Sequence, residues 1–243
     1  MDTLKQGNYP QFSPIPSLSG FFGILEHMSN SFMGTLCSPK DTMDHGKDAP
    51  IFVLIPGFSG NHATMRELGN NLGEKANVAY APDFPLFNTT SIREAAKLLN
   101  EKIEKILSLH GKKIDIRLVG FSNGGLIALD ALRHKSSLRV SEVITMGTPF
   151  RGTPLANIIS FTSRACSEIN EKGGYLRGSN LATQLGKLSV HVAHNDSIVP
   201  ASHQIPDMSI APGKITVIHH EGFHHTNFIS GEKGKDIANM LLS

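Results

Sequence analysis

The chain has almost no charge bias. Lysine and arginine together number 23, aspartate and glutamate 21, and no basic run reaches five residues, so the electrostatic footprint required for nucleic acid is missing. No nucleic-acid partner is expected. Cysteine is scarce: Cys37 and Cys166 lie far apart without CxxC spacing, which leaves two ordinary thiols rather than a disulfide framework or a zinc knuckle. Long apolar runs are missing too, and none approaches the roughly 18 residues of a membrane span. A secretion signal needs a basic start and an unbroken apolar core, whereas Pro10, Pro14, Pro16, Glu26 and His27 interrupt the first thirty residues here. The expectation is a cytoplasmic protein, or one exported by a route without a cleavable signal peptide, with no transmembrane segment.

What is present points to an α/β domain. At 243 residues and 40% apolar content, the chain can bury a substantial single core. Residues 1–49 read as an N-terminal extension. Within it Leu18, Phe21, Phe22, Leu25, Met28, Phe32, Met33 and Leu36 recur at helical spacing; the stripe suits a helix packed on the core, or a peripheral membrane contact through residues 17–36.

From residue 50 onward strand and helix signals alternate. Ile51 to Ile55 is a fully apolar run closed by Pro56-Gly57, the signature of a central strand in a parallel sheet. A helix is predicted around Met65–Leu72 and a strand near Val78–Ala81. A capping box, Ser91-x-x-Glu94, opens a helix whose Ile92, Ala96, Leu99, Ile103, Ile106 and Leu107 share a face. Strands follow at 114–119, Val143–Met146, 188–193 and Ile215–Ile218, with a helix at about 124–134. A closing helix is lined on one side by Ile237, Met240 and Leu241. Regular β-α alternation predicts a doubly wound, mostly parallel sheet over residues 50–243.

Onto this frame falls Gly120-Phe121-Ser122-Asn123-Gly124, a Gly-x-Ser-x-Gly pattern between an apolar strand and a helix. It nominates Ser122 as a nucleophile on a strained strand-to-helix turn. A serine hydroxyl needs a histidine base and a carboxylate that fixes the imidazole tautomer. Asp196 lies just past the predicted strand at 188–193. The last strand runs into His219-His220-Glu221-Gly222-Phe223-His224-His225, read as one loop with four histidines. Chain order Ser, Asp, His, with Asp and His each at the C-terminal end of a later strand, is the order of an α/β-hydrolase triad. Two backbone amides should hold the developing oxyanion: that of Asn123, at the start of a helix, and that of Phe58, in the turn Pro56-Gly57-Phe58-Ser59-Gly60.

With Pro56-Gly57-Phe58, Gly120 to Gly125, Gly147-Thr148-Pro149-x-x-Gly152, Asp196-Ser197-Ile198-Val199-Pro200 and Gly222 to Ile229 in place, residues 50–243 resemble the bacterial lipase and esterase group of the α/β-hydrolase superfamily. The resemblance implies His225 as base, because Gly222 precedes it by three and Phe228-Ile229 follow at the third and fourth positions; His224 is the fallback. It also implies that about residues 150–186 form a cap, with Leu155, Ile158, Ile159, Phe161, Tyr175 and Leu176 available to line an acyl pocket. Two departures stand out. Pro56 replaces the usual histidine before Gly57, and Phe121 replaces the usual histidine before Ser122. Neither position belongs to the triad.

The implied activity is hydrolysis of a small-molecule or lipid carboxylic ester through an acyl-enzyme, with no cofactor and no metal. The same triad serves thioesters, amides or transfer to an alcohol, and the same fold serves as a non-catalytic binding scaffold. His220-Glu221-Gly222-Phe223-His224 also matches HExxH, a zinc-protease signature that functions only on a helix. A strand leads directly into it and Gly222 falls mid-motif, which argues against that reading.

Overall fold

The computed structural model describes residues 41, 49–73, 75–84, 88–110, 114–134, 140–159, 163–169, 181 and 183–243. The predicted helix at 17–36, together with Cys37, Phe161, Tyr175 and Leu176, lies outside these residues, as do the side chains of Ile158 and Ile159.

Six strands form one sheet: β1 (Ile51–Ile55), β2 (Asn77–Tyr80), β3 (Ile116–Phe121), β4 (Val140–Met146), β5 (Leu185–Ala193) and β6 (Ile215–His220). Their order is β2-β1-β3-β4-β5-β6, and every neighbouring pair is parallel. The doubly wound parallel sheet expected from the alternation is therefore present. Alternate residues of β1 divide between two cores: Ile51, Val53 and Ile55 pack with α2 (Ile92–His110) and α3 (Asn123–His134). Phe52 and Leu54 pack with α1 (Arg66–Gly73) and α6 (Gly231–Leu242) on the opposite face. A strand covered on both faces must be apolar at every position, which explains the unbroken Ile-Phe-Val-Leu-Ile run.

Three local expectations need correction. The Ser91 hydroxyl caps α2 by accepting from the Arg93 N–H at 3.2 Å, while Glu94 faces Arg164 at 3.6 Å. The reciprocal box is thus replaced by a simple cap, with Glu168 accepting from the Ile92 N–H at 2.7 Å. Met240 is exposed, and the buried stripe of α6 is Gly234, Ile237, Ala238 and Leu241. β6 extends to His220, because β5 continues pairing through Val192↔His219 and Ala193↔His220; two of the four histidines are strand residues.

The small excursions between β4 and β5 include α4 (Pro154–Ile159) and α5 (Arg164–Glu168). All the turns that carry candidate site residues leave the carboxyl edge of the sheet, where parallel α/β folds gather their functional groups.

Close backbone contact fixes the centre of that edge. A Cβ on Gly120 would lie 2.5 Å from both Cα and N of Gly125, and neither backbone can give way. Gly120→Ala is expected to cost at least about 3 kcal/mol of stability or to prevent folding. Gly213→Ala, at φ 71° with nothing within 4 Å, should cost only about 1–2 kcal/mol; urea denaturation midpoints of the two variants test the difference.

Candidate active site

Ser122 joins β3 to α3 in one residue, at φ 52°. Left-handed backbone is unfavourable for a residue with a Cβ and is retained where the surroundings enforce it. Here they do. The Ser122 N–H donates to the Met146 carbonyl at 2.8 Å. The Thr148 hydroxyl donates to the Ser122 carbonyl at 2.9 Å. Gly57 passes so near that a Cβ there would stand 2.9 Å from the Ser122 Cβ.

Asp196 follows β5, and its side chain is fully buried. Its Oδ1 accepts from the N–H groups of Ile198 at 2.8 Å and Val199 at 2.9 Å. Its Oδ2 accepts from His225 Nδ1 at 2.5 Å and from Gln204 Nε2 at 3.1 Å. With Nδ1 donating to a carboxylate, the neutral imidazole keeps its free lone pair on Nε2. His225 opens a single 3-10 turn, His225–Phe228, and is buried against the Phe121 ring at 4.9 Å between centroids. His224, one residue earlier, is exposed and donates through Nδ1 to the Asn195 carbonyl at 2.9 Å. Only His225 of the two meets Asp196.

Phe58, Ser122 and His225 line one cavity of about 60 Å³, closed by apolar groups including Leu155, Ile169 and Val199. Asn123 is the first residue of α3, so its N–H belongs to the helical first turn that lacks an intrahelical acceptor. Sequence-predicted Ser122, Asp196, His225, Phe58 and Asn123 therefore converge at the carboxyl ends of β1, β3, β5 and β6. Leu155 lines the cavity as expected. Cys166 lines it too; burial raises its thiol pKa, which keeps it protonated.

The HExxH pattern does not form a helical face. His220 ends β6, Gly222 turns at φ 69°, and His224 is the N-cap of the 3-10 turn. Instead His220 Nε2 meets His191 Nδ1 at 2.9 Å, the rings stacked 5.1 Å apart. Burial, with His220 and Lys187 nearby, pushes the His191 pKa down to about 3.

Three polar supports escaped the sequence reading. Gln204, fully buried, accepts from the Ala193 N–H at 2.8 Å and donates to Val199 O at 2.7 Å as well as to Asp196. Asn88, fully buried, donates to the carbonyls of Pro56 and Gly57. His62 pairs through Nδ1 with Asp83. An amide or a histidine in a polar loop has no local signature of such a role; only a left-handed Asn can be suspected, and that requires the backbone.

The central elbow, the sheet order and the gathering of these turns on one edge define an α/β-hydrolase fold. Residues 46–227 match the PGAP1-like alpha/beta domain, well over half of the chain, and the chain belongs to that family. The same architecture occurs in a mature Bacillus licheniformis lipase, with TM-score 0.65 and 16% identity over 81% of this chain and 93% of that one. A Streptomyces coelicolor thioesterase of the prodiginine biosynthetic pathway gives TM-score 0.61 and 16% identity, covering 82% and 91% of the two chains. In sequence, a Saccharomyces cerevisiae protein described as a probable alcohol acetyltransferase is 25% identical over 146 residues, 56% of this chain and 41% of that protein. The matched region thus spans well under half of that relative's length.

Two stability outcomes follow from the buried polar groups. Gln204→Leu strands the Ala193 N–H and the Val199 carbonyl, and is expected to cost about 3 kcal/mol, a Tm reduction of roughly 6–12 °C by calorimetry. For His191 the folded state binds no proton between its depressed pKa of about 3 and its ordinary value of 6.5, while the unfolded chain does. Its contribution is complete above pH 6.5 and is lost as pH falls toward 3, at up to about 1.4 kcal/mol per pH unit. Urea midpoints at pH 7 and pH 5 should show this loss, with a shallower slope in His191→Gln.

Proposed function

We propose that this protein is a serine hydrolase acting on carboxylic esters. One observation carries the reading: a left-handed Ser122 shares an apolar cavity with His225, whose Nδ1 is committed to buried Asp196. That commitment leaves Nε2 as the available base. Ser122 Oγ attacks the ester carbonyl carbon as its proton passes to His225 Nε2. The amides of Phe58 and Asn123 hold the resulting oxyanion, an interaction worth about 10²-fold or more per donor. Collapse breaks the bond to the leaving oxygen, which takes the proton from His225 and departs as the alcohol. Water then attacks the acyl-serine, His225 accepts its proton and returns it to Ser122, and the carboxylic acid leaves. No cofactor takes part in these steps.

The cavity also supports a preference. Its wall is apolar, with Leu155, Ile169 and Val199 among the lining residues, which suits an apolar acyl group. Leu155, Ala156, Cys166 and Ile169, between β4 and β5, form the cap side of the cavity wall. A second reading has a specific motive in the similarity to the probable alcohol acetyltransferase: the same acyl-serine would pass its acyl group to an alcohol in place of water.

A p-nitrophenyl ester series from acetate to palmitate, assayed with EDTA present, tests both. The wild type is expected to hydrolyse members of the series, and Ser122→Ala to lower kcat by at least about 10⁴-fold. Added butanol diverting most product from acid to butyl ester would favour the transfer reading. No ester turnover in the wild type would refute the proposal and favour a binding scaffold.

A further inference from the structure

Among the described residues, three non-glycine positions have left-handed backbone: Ser59 at φ 61°, Asn88 at φ 58° and Ser122 at φ 52°. All three meet at one place. Ser122 is the elbow, and Ser59 directly follows Phe58. Asn88 comes from the segment after β2, yet its Nδ2 donates to Pro56 O at 3.1 Å and to Gly57 O at 2.9 Å. It is 0% exposed.

We propose that Asn88 is the positioning residue of the oxyanion hole. The inference rests on the hydrolase reading above. The carbonyl of Gly57 and the N–H of Phe58 belong to the same peptide unit, which is planar and trans. A donor fixed on that carbonyl therefore fixes the direction of the N–H on the opposite side of the plane. Gly57 O also accepts from the Gly60 N–H at 3.0 Å, so two donors hold the plane against rotation. Both donors also polarise the peptide, which strengthens its N–H toward an anion. Asn88 is not among the residues lining the acyl cavity; it acts through the Phe58 amide. An asparagine suits the task because it tolerates left-handed backbone while carrying an amide.

Two variants separate this role from a structural one. Asn88→Gly keeps the backbone conformation accessible and removes the donor. Asn88→Asp keeps the shape and places an acceptor against two carbonyls. For p-nitrophenyl butyrate both are expected to lower kcat by about 10- to 100-fold with KM within about threefold, less than the loss of an oxyanion donor itself. The inhibition constant of an alkyl boronic acid, whose tetrahedral adduct on Ser122 presents an oxyanion, should rise by the same factor.

Unchanged kcat and boronate inhibition in folded variants would overturn the assignment, as would loss of a cooperative unfolding transition in both, since Asn88 would then hold the fold rather than the hole. A wild type that neither turns over esters nor binds boronate would instead sink the hydrolase reading itself. An active, Ser122-dependent wild type beside unaffected Asn88 variants would sink only this inference.

Discussion

Everything at the carboxyl edge depends on the passage of β3 into α3 within a single residue. That turn places Ser122 in left-handed backbone, a cost of about 1–2 kcal/mol, and it persists because both neighbouring strands hold it. β4 contributes the Met146 carbonyl and, just beyond, the Thr148 hydroxyl. β1 contributes Gly57, which brings the next turn against the Ser122 Cβ. The three strands are the middle of the hydrogen-bonded sheet, so local strain at the elbow is opposed by the most cooperative part of the core. The turn after β1, which carries Phe58, must then lie beside Ser122.

Ending several parallel strands at one buried edge leaves backbone groups that no ladder can satisfy. Side-chain amides fill that need in two different ways. Gln204 bonds with both ends of its amide, to the Ala193 backbone, Val199 and Asp196. Asn88 spends its NH₂ on the two carbonyls of Pro56 and Gly57. Around Asp196 the network is therefore complete.

The sequence carried the parts of this arrangement that depend on spacing and chain order. Five apolar residues before Pro56-Gly57 suffice for β1, and Ser122, Asp196 and His225 each follow a strand. Choosing His225 over His224 rested on Gly222 and Phe228-Ile229, and Phe228 is indeed the fully buried residue of that turn. Gln204 and Asn88 were illegible because their partners lie elsewhere: Asn88 is more than thirty residues from the carbonyls it holds. The end of β6 was misjudged because His219 and His220 read as polar, whereas pairing with β5 outweighs side-chain polarity. Met240 looked core-facing by apolarity alone, yet the helix turns Ile237, Ala238 and Leu241 inward in its place.

His225 has the shortest support, a single 3-10 turn, and so depends most on what lies beneath it. Phe228 anchors the turn, its ring near-perpendicular to both His191 and His220 at 6.5 and 5.5 Å and tilted against Phe223 at 5.4 Å. Those two histidines share a hydrogen bond that requires one donor nitrogen and one acceptor nitrogen. Protonating the acceptor abolishes the bond and leaves a charge in a buried apolar cluster. The floor under His225 is thus sound only while the buried pair stays neutral, and the low pKa of His191 keeps it so across the range in which a histidine base operates. The buried pair thereby sets the acid limit on the geometry beneath His225.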